Sequence, residues 1–365
     1  MKKEGVLPSQ KIKELIKKGF IKNAKEKNIN PASLDLTITK EIYRTEEVFQ
    51  PRPGEEIRKL LKKIRTSVHD LTFPLEKDVI YLARLKEVFS LPKNIYGYCN
   101  PKSSTGRIDV HVRLLADGVA RYDTLTPAGY KGEVWLVIIP KSFPIKIKSG
   151  ETLTQVRFFN GDTRFNELEL QTSFEKDKLL WFHSENRVLS YSEIKIKDND
   201  GSLILTLDLT KEIVGYKSKQ SNRILDLSKK GLNPHEFFEP IKLFNNYFHL
   251  KKGEFYIFST KEAVKVPSHL VCEMVPMDER SGEFRAHYAG FIDPGWGFGK
   301  KGEGRGRPLT LEIRPFEDLN IRDNQPIVKI RFEKMIEISN ILYDTKPISF
   351  YTNQDGPRLS KYFKI

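Results

Sequence analysis

A mainly β protein, built as two tandem β-barrel or jelly-roll domains with a few short helices, is predicted by three observations. First, one passage occurs twice. Lys86-Glu87-Val88, Pro92, Ser103-Ser104-Thr105-Gly106-Arg107 and Gly132 to Val137 recur as Lys261-Glu262-Ala263, Pro267, Ser281-Gly282-Glu283-Phe284-Arg285 and Pro308 to Glu312. The offset is 175 residues at both ends (261 − 86 and 312 − 137), so the repeated unit is a domain and not a solenoid turn. Second, β-branched and aromatic runs bounded by Gly or Pro recur at close spacing, as short strands do. Third, a length of 365 residues suits two domains, each large enough to bury its own core. The join is expected near residues 175–185 and drawn as 1–178 and 179–365.

The copies are unequal in their polar residues. The first keeps Ser103-Ser104 and Arg107 but has Val137 where the second has Glu312; the second keeps Glu312 but has Gly282 in place of Ser104. Neither is complete alone, so a functional site shared between them is expected.

Taken in order, residues 9–19 read as an amphipathic helix with Ile12, Leu15 and Ile16 on one face. Residues 54–65 read as another, ended before a turn at Ser67–Asp70. Val79–Leu82, Val134–Ile139 and Phe255–Phe258 read as strands. Pro144–Lys148 alternates as a half-buried strand does, and Ser149-Gly150 supplies the turn before Leu153 to Phe158. Asn320–Arg322 and Ile327–Phe332 repeat this arrangement in the second half. Asp35-Leu36-Thr37 is matched to Asp208-Leu209-Thr210. The segment from Phe298 to Arg307 is rich in glycine and basic residues and reads as a mobile loop. The tail from Tyr343 reads as a loose terminus or a closing flap.

Composition sets further bounds. A hydrophobic share of 39% and a charged share of 30% describe a soluble globular protein. No run of about 18 apolar residues is present, so no membrane partner is expected. No apolar signal core follows the charged start at Met1-Lys2-Lys3-Glu4-Gly5. Two cysteines, Cys99 and Cys272, fit a reducing cytoplasm, each as a small buried side chain. The net charge of +14 admits nucleic acid or a phosphorylated small molecule, but most lysines fall in solvated helix patterns such as Lys11 to Lys18.

Several chemistries are set aside. There is no Cys-x-x-Cys and no His-Glu-x-x-His, so no zinc site is expected. Walker, dinucleotide and nucleophile-elbow motifs are also missing. What remains is a set of three. Ser103 to Arg107 places two hydroxyls, a glycine and a guanidinium in one turn, which can hold phosphate oxygens or serve as an ordinary polar turn. Glu312 lies inside an apolar strand; facing a pocket, its carboxyl suits proton transfer, and facing outward it is inert. Val137 shows that the fold itself needs no carboxylate there. Ile292-Asp293-Pro294-Gly295-Trp296 either shapes a hairpin or presents Asp293 to a sugar or base.

Together these residues resemble dCTP deaminase of the dUTPase-like superfamily, in its longer tandem-repeat form. The family's Arg-Ser-Ser-x-x-Arg loop is similar to Lys102 to Arg107 and, more weakly, to Arg280 to Arg285. Its Ile-Asp-Pro-Gly-Trp loop followed by Leu-Glu is similar to Ile292 to Trp296 and Leu311-Glu312. Its C-terminal Tyr-x-x-Gln-x-Gly lid is similar to Tyr351 to Gly356, and Tyr343 also sits where the family has a tyrosine. Pro8-Ser9-Gln10 and Pro31 to Leu36 resemble the family's opening helix and first strand.

The resemblance implies hydrolysis of dCTP to dUTP and ammonia without zinc, with dUTPase-like domains. Glu312 would be the general base. Lys102, Ser103, Ser104 and Arg107 would hold phosphate, with Ser104 and Arg107 helping to fix the water. Ala289 and Asp293 would contact base and sugar. Tyr343, Lys346, Tyr351 and Gln354 would belong to the flap. Phe350 stands where the family usually has a lysine, leaving Lys346 or Lys361 to replace it. Magnesium would ride on the triphosphate, dTTP would be a feedback inhibitor, and the protein would be a homo-oligomer. Two alternatives stay open: a dUTPase or bifunctional enzyme, on the resemblance of Tyr130-Lys131-Gly132-Glu133 to Tyr-x-Gly-Glu, and a nucleotide-sensing or nucleic-acid-binding protein without chemistry. Nucleic acid is the least expected partner.

Overall fold

The computed structural model describes residues 3–245, 247–277, 281–285, 288–346 and 350–364; Met1, Lys2 and Arg280 lie outside them. The chain forms two compact units. One comprises residues 1–162, 220–233 and 360–365; the other comprises 163–219 and 234–359.

The first unit is a pair of sheets. One runs Thr66–Val68, Ile38–Thr45, Ile80–Ser90, Lys131–Pro140, Val110–Ala116, and Ile21–Lys22 also pairs with Ile80–Ser90. The other runs Leu34–Leu36, Thr154–Phe159, Tyr96–Pro101, Thr124–Leu125. The second unit repeats the latter sheet strand for strand as Ser202–Thr206, Pro326–Lys334, Leu270–Val275, Phe291–Ile292. Its larger sheet centres on Tyr256–Val264 paired with Arg307–Pro315. The mainly β expectation holds.

Strand register follows the 175-residue offset. Leu82 lies opposite Val137, and Ile257 opposite Glu312. Two buried polar contacts recur as well, the first at the same offset and the second at 175 residues for its glutamate (262 − 87) and 169 for its threonine (206 − 37). The Tyr81 hydroxyl accepts the Glu76 N–H at 3.0 Å and the Tyr256 hydroxyl accepts the Lys251 N–H at 3.0 Å. Glu87 accepts the Thr37 N–H at 2.9 Å and Glu262 accepts the Thr206 N–H at 2.8 Å. This last pair corrects the match of Thr37 with Thr210. The structural counterpart of Thr37 is Thr206, because each threonine N–H must find the buried glutamate of its own unit.

Burial pushes the Glu262 carboxyl up from its ordinary range against the opposing Thr206 hydrogen bonds. A carboxyl whose folded pKa is raised contributes stability at low pH that is lost as pH rises through the raised value. Glu262→Gln, which keeps an acceptor for Thr206, should therefore melt above the parent at pH 8, with the gap closing by pH 4. A pH-independent gap would remove burial of this charge as the cause.

The amphipathic helix at the start spans Ser9–Lys17, with Ile12 and Leu15 buried. The one expected over 54–65 is a single turn, Ile57–Leu60. Its Ile57 N–H is taken by Asp117 Oδ1 at 2.8 Å, while Ile57 and Leu61 pack on Trp135 and Val137. The turn expected at Ser67–Asp70 begins as strand, with Ser67 paired to Arg44 and Val68 to Tyr43. A longer helix, Glu167–Asp177, carries a full capping box between Asn166 and Glu169.

The two units also depart from a division at 178/179. Leu170 and Phe174 of that helix join the second core, and Thr163 Oγ1 donates to Glu333 at 3.1 Å, so the second unit starts at Thr163. Segment 220–233 belongs to the first unit because Leu225–Asp226 pairs in parallel with Ile145–Lys146.

The glycine-rich segment, expected as a mobile loop, is tied down by hydrogen bonds and an ion pair. Gly306 donates to the Gly297 carbonyl at 2.9 Å and Gly304 to the Phe298 carbonyl at 2.8 Å. Arg307 pairs with Asp344 at 2.6 Å, and the other oxygen of Asp344 accepts the Gly299 N–H at 2.9 Å. Arg305 is spent on Asn186 and lies over Trp181. Its glycines serve close packing and positive φ, which composition alone reads as flexibility.

Candidate active site

The second unit carries Glu312 on the strand Arg307–Pro315. Leu309, Leu311 and Ile313 point into the core, so the alternating residues Pro308, Thr310 and Glu312 share the opposite face. Glu312 is buried, 1% exposed. Its Oε2 accepts the backbone N–H of Tyr288 at 2.8 Å and of Ala289 at 3.0 Å. Two N–H groups on one oxygen fix the plane of the carboxylate. Glu312 and Ala289, both expected in the site, are thus in contact; Tyr288 acts through its backbone and carried no side-chain signal in the sequence.

Beside Glu312 on the same face, Thr310 lies opposite Ser259, and both hydroxyls are buried without a hydrogen-bond partner among the described residues. The first unit fills the equivalent places with Arg84 and Trp135. A buried hydroxyl that makes no bond costs stability. Thr310→Val should therefore raise the melting temperature by a few degrees, about 1 kcal/mol; a fall would mean that the hydroxyl bonds to something fixed.

The Asp293 loop is shaped from both sides. Gly295 has φ +90°, and a Cβ there would lie 2.7 Å from Leu342 Cβ and 2.8 Å from Tyr343 N, so only glycine lets the Leu342–Tyr343 backbone approach. The Tyr343 N–H donates to the Pro294 carbonyl at 2.9 Å. The Trp296 and Tyr343 rings are 4.9 Å apart, and the Arg307 guanidinium lies over the Trp296 ring, 5.4 Å from its centre. The Asp293 loop and the Tyr343 segment are therefore neighbours, joined through the Pro294 carbonyl, and Asp344, which the sequence reading missed, ties the Tyr343 turn to Arg307 and Gly299. Lys346 follows the turn Tyr343–Thr345 and is half-buried.

The tail is not loose. Tyr351 is buried in the second core, and Gln354, 3% exposed, donates Nε2 to the Pro308 carbonyl at 2.6 Å. Pro308 starts the row that ends at Glu312. Gln354 is thus tied to the strand that carries the carboxylate, and Tyr351 packs in the core of the same unit.

In the first unit, Ser103–Gly106 forms a short helical turn with Lys102 before it and Arg107 after it. The N–H groups of Thr105 and Gly106 return to the Lys102 carbonyl and that of Arg107 to Ser103. They close the turn, so the convergence of N–H groups expected there for phosphate does not extend to these three. Ser104 and Arg107 are buried and Ser103 is half-buried. Lys102 Nζ donates to the Asp35 carboxylate and, at 2.8 Å, to Thr152 Oγ1. Of the weaker second-repeat match, Gly282 replaces the second serine, and Arg280 lies outside the described residues.

The Tyr130–Glu133 motif is spent internally. The Tyr130 hydroxyl donates to the Glu133 carbonyl at 2.6 Å and accepts the Asp117 N–H at 3.0 Å, and the Glu133 carboxylate pairs with Arg84 and Arg58. Both cysteines are buried free thiols. Among the described residues, no cluster of three His, Cys, Asp or Glu side chains could hold a metal ion, and no helix is long and apolar enough to cross a membrane.

The family model described as the 2'-deoxycytidine 5'-triphosphate deaminase (DCD) N-terminal domain matches residues 3–162, and the corresponding C-terminal domain model matches residues 175–363. The dCTP deaminase of Ignicoccus hospitalis is 24% identical over 169 residues, 43% of this chain and 84% of that protein. A probable deoxyuridine 5'-triphosphate nucleotidohydrolase of Sulfolobus islandicus rod-shaped virus 1 is 27% identical over 155 residues, 42% of this chain and 82% of that protein. The crystal structure of 2'-deoxycytidine 5'-triphosphate deaminase from Agrobacterium tumefaciens superposes with a TM-score of 0.81 at 33% identity, covering 91% of this chain and 99% of that one. With both family models matched in order along most of its length, the chain belongs to the dCTP deaminase family.

Proposed function

We infer that the protein converts dCTP and water to dUTP and ammonia. The observation that carries this reading is the buried Glu312 carboxylate, oriented by the Tyr288 and Ala289 N–H groups, in a chain of this family. Glu312 takes a proton from water as the water oxygen bonds to cytosine C4. That proton passes to ring N3; the proton of the new C4 hydroxyl then moves through Glu312 to the amino group, the C–N bond breaks, and ammonia leaves as the carbonyl forms, with N3–H retained in the product. Arg107 and the serine hydroxyls hold phosphate, with Ser104 and Arg107 also fixing the water. Ala289 and Asp293 recognise base and sugar, and Tyr343, Lys346, Tyr351 and Gln354 form the flap. Magnesium enters with the triphosphate and offsets part of its charge. dTTP competes as a feedback inhibitor, and the working form is a cytoplasmic homo-oligomer.

A second reading, hydrolysis of dUTP to dUMP, draws on the viral relative and the Tyr130–Glu133 motif. The internal use of Tyr130 and Glu133 supports the deaminase instead. Incubation with dCTP and magnesium, with dUTP and CTP in parallel and products separated by chromatography, decides between them. dUTP from dCTP is expected; dUMP as the sole product, or no turnover of any nucleotide, would overturn the reading. Arg107→Ala should also lose most turnover, because the guanidinium forks onto phosphate oxygens.

A further inference from the structure

Each group of candidate residues has a counterpart in the other repeat, and both counterparts have been rebuilt. In the first unit, the sheet face that corresponds to the Glu312 face is closed from within. Trp135 and Val137 stand where the second unit has Thr310 and Glu312, and both are buried against Ile57 and Leu61. One carboxylate fastens this cover to the strand beneath it: Asp117 accepts the Ile57 N–H at 2.8 Å and the Glu133 N–H at 3.0 Å. Arg58 of the same turn lies over the Trp135 ring, 5.4 Å from its centre, and forks onto Glu41 at 2.6 and 3.1 Å. The Asp293 position has changed as well. Leu125 lies opposite Gly97 as Ile292 lies opposite Cys272, so Thr126-Pro127 takes the place of Asp293-Pro294.

In the second unit, the counterpart of the phosphate loop has become apolar. Met277 stands 175 residues beyond Lys102. Asp35, the partner of Lys102, lies opposite Gln155, which lies opposite Asn100. The matching strands set Lys329 between Ile204 and Val275, so Ile204 replaces Asp35 and Lys329 replaces Gln155. Lys329 is held by Asp198 and, at 3.0 Å, by Asp200. Ile196, Ile204, Met277 and Pro326 wall a cavity of about 380 Å³ beside it. An ammonium already shared by two carboxylates is a poor counter-charge for a polyphosphate, and those carboxylates repel it.

We propose that each chain binds one nucleotide, although it carries two repeats of a nucleotide-binding domain. The first unit keeps the phosphate loop and has sealed its base face with the Ile57–Leu60 turn. The second keeps the carboxylate, and its loop counterpart is an apolar pocket that excludes a polyphosphate. One set of nucleotide groups therefore remains per chain, where two intact repeats would supply two. The proposal rests on the function inferred above for the identity of the nucleotide, and adds the number of sites and the groups that close the rest.

The test is calorimetric titration of full-length Glu312→Gln with magnesium dCTP, which counts sites without turnover. One nucleotide per chain is expected, and any other count, zero included, overturns the proposal. If Glu312→Gln does not fold, the parent is titrated with magnesium dUTP and the same count decides. Lys329→Ala, added to Glu312→Gln, should leave the count at one and the affinity within about threefold; greater weakening would place phosphate on the second unit's pocket and overturn the proposal. A count of one in a protein whose parent makes no dUTP from dCTP leaves the proposal standing and removes the inferred reaction. A count of two with dUTP formed by the parent does the reverse.

Discussion

Glu312→Gln is expected to remove dUTP formation almost completely while leaving the protein folded. The carboxylate and the amide have the same shape, and the amide oxygen can still accept the Tyr288 and Ala289 N–H groups that now hold Oε2. What is lost is basicity, because a neutral amide cannot take the proton of the attacking water. General-base contributions of this kind are worth about 10²–10⁴ in rate, so kcat should fall by that factor with KM for dCTP little changed. The melting temperature should stay level or rise, since a buried charge is being replaced by a neutral group. The measurement is dUTP production under saturating dCTP, alongside thermal melting of the same preparation. Turnover within about threefold of the parent would assign Glu312 to the architecture of the strand and leave the reaction without its base.

Gly306→Ala should be among the most damaging substitutions outside the site, and it decides what the glycine-rich segment is. Gly306 has φ +71°, and a Cβ there would lie 2.6 Å from the Ala263 carbonyl oxygen and 2.8 Å from its carbon. Left-handed backbone costs an alanine about 1–2 kcal/mol. The clash adds to this by pushing on Tyr256–Val264, the strand paired with the one that carries Glu312. A loss of about 3 kcal/mol is expected, a fall in melting temperature of roughly 6–12 °C for a domain of this size. A mobile loop would give the opposite sign: alanine would then stabilise by about 0.4–1 kcal/mol through the unfolded chain. The readout is thermal or urea unfolding of the variant beside the parent, and an unchanged or raised midpoint would return the segment to a loose loop.

The strand framework was legible because its signal is local. Alternation in Pro144–Lys148 and the β-branched run Val134–Ile139 state their conformation within a few residues. The 175-residue offset carried strand register as well, since insertions in the paired strands Ile80–Ser90 and Lys131–Pro140 would have displaced Leu82 from Val137 in one unit and not in the other. Residues 54–65 misled because their apolar positions, Ile57 and Leu61, serve packing on Trp135 and not an extended helix face. The helix Glu167–Asp177 could have been found from Asn166 followed three residues later by Glu169, a capping-box signature. The glycines of 297–306 misled for a different reason. A glycine that permits flexibility and one that permits close approach are the same letter, and only the neighbours across the gap distinguish them.

The sequence by itself singled out the candidates for chemistry: Glu312 against Val137, Ser103, Ser104 and Arg107 against Gly282, and the turn at Asp293. It also determined the β framework that displays them. The tertiary structure alone decided how they are held. The N–H pair on Glu312 comes from a loop 24 and 23 residues away. Asp344 clamps Arg307 and Gly299 across 37 and 45 residues, and Ser360 reaches Ser104 across 256. Burial and hydrogen-bond partnership depend on which distant segments share a surface, and local pattern carries no record of that choice.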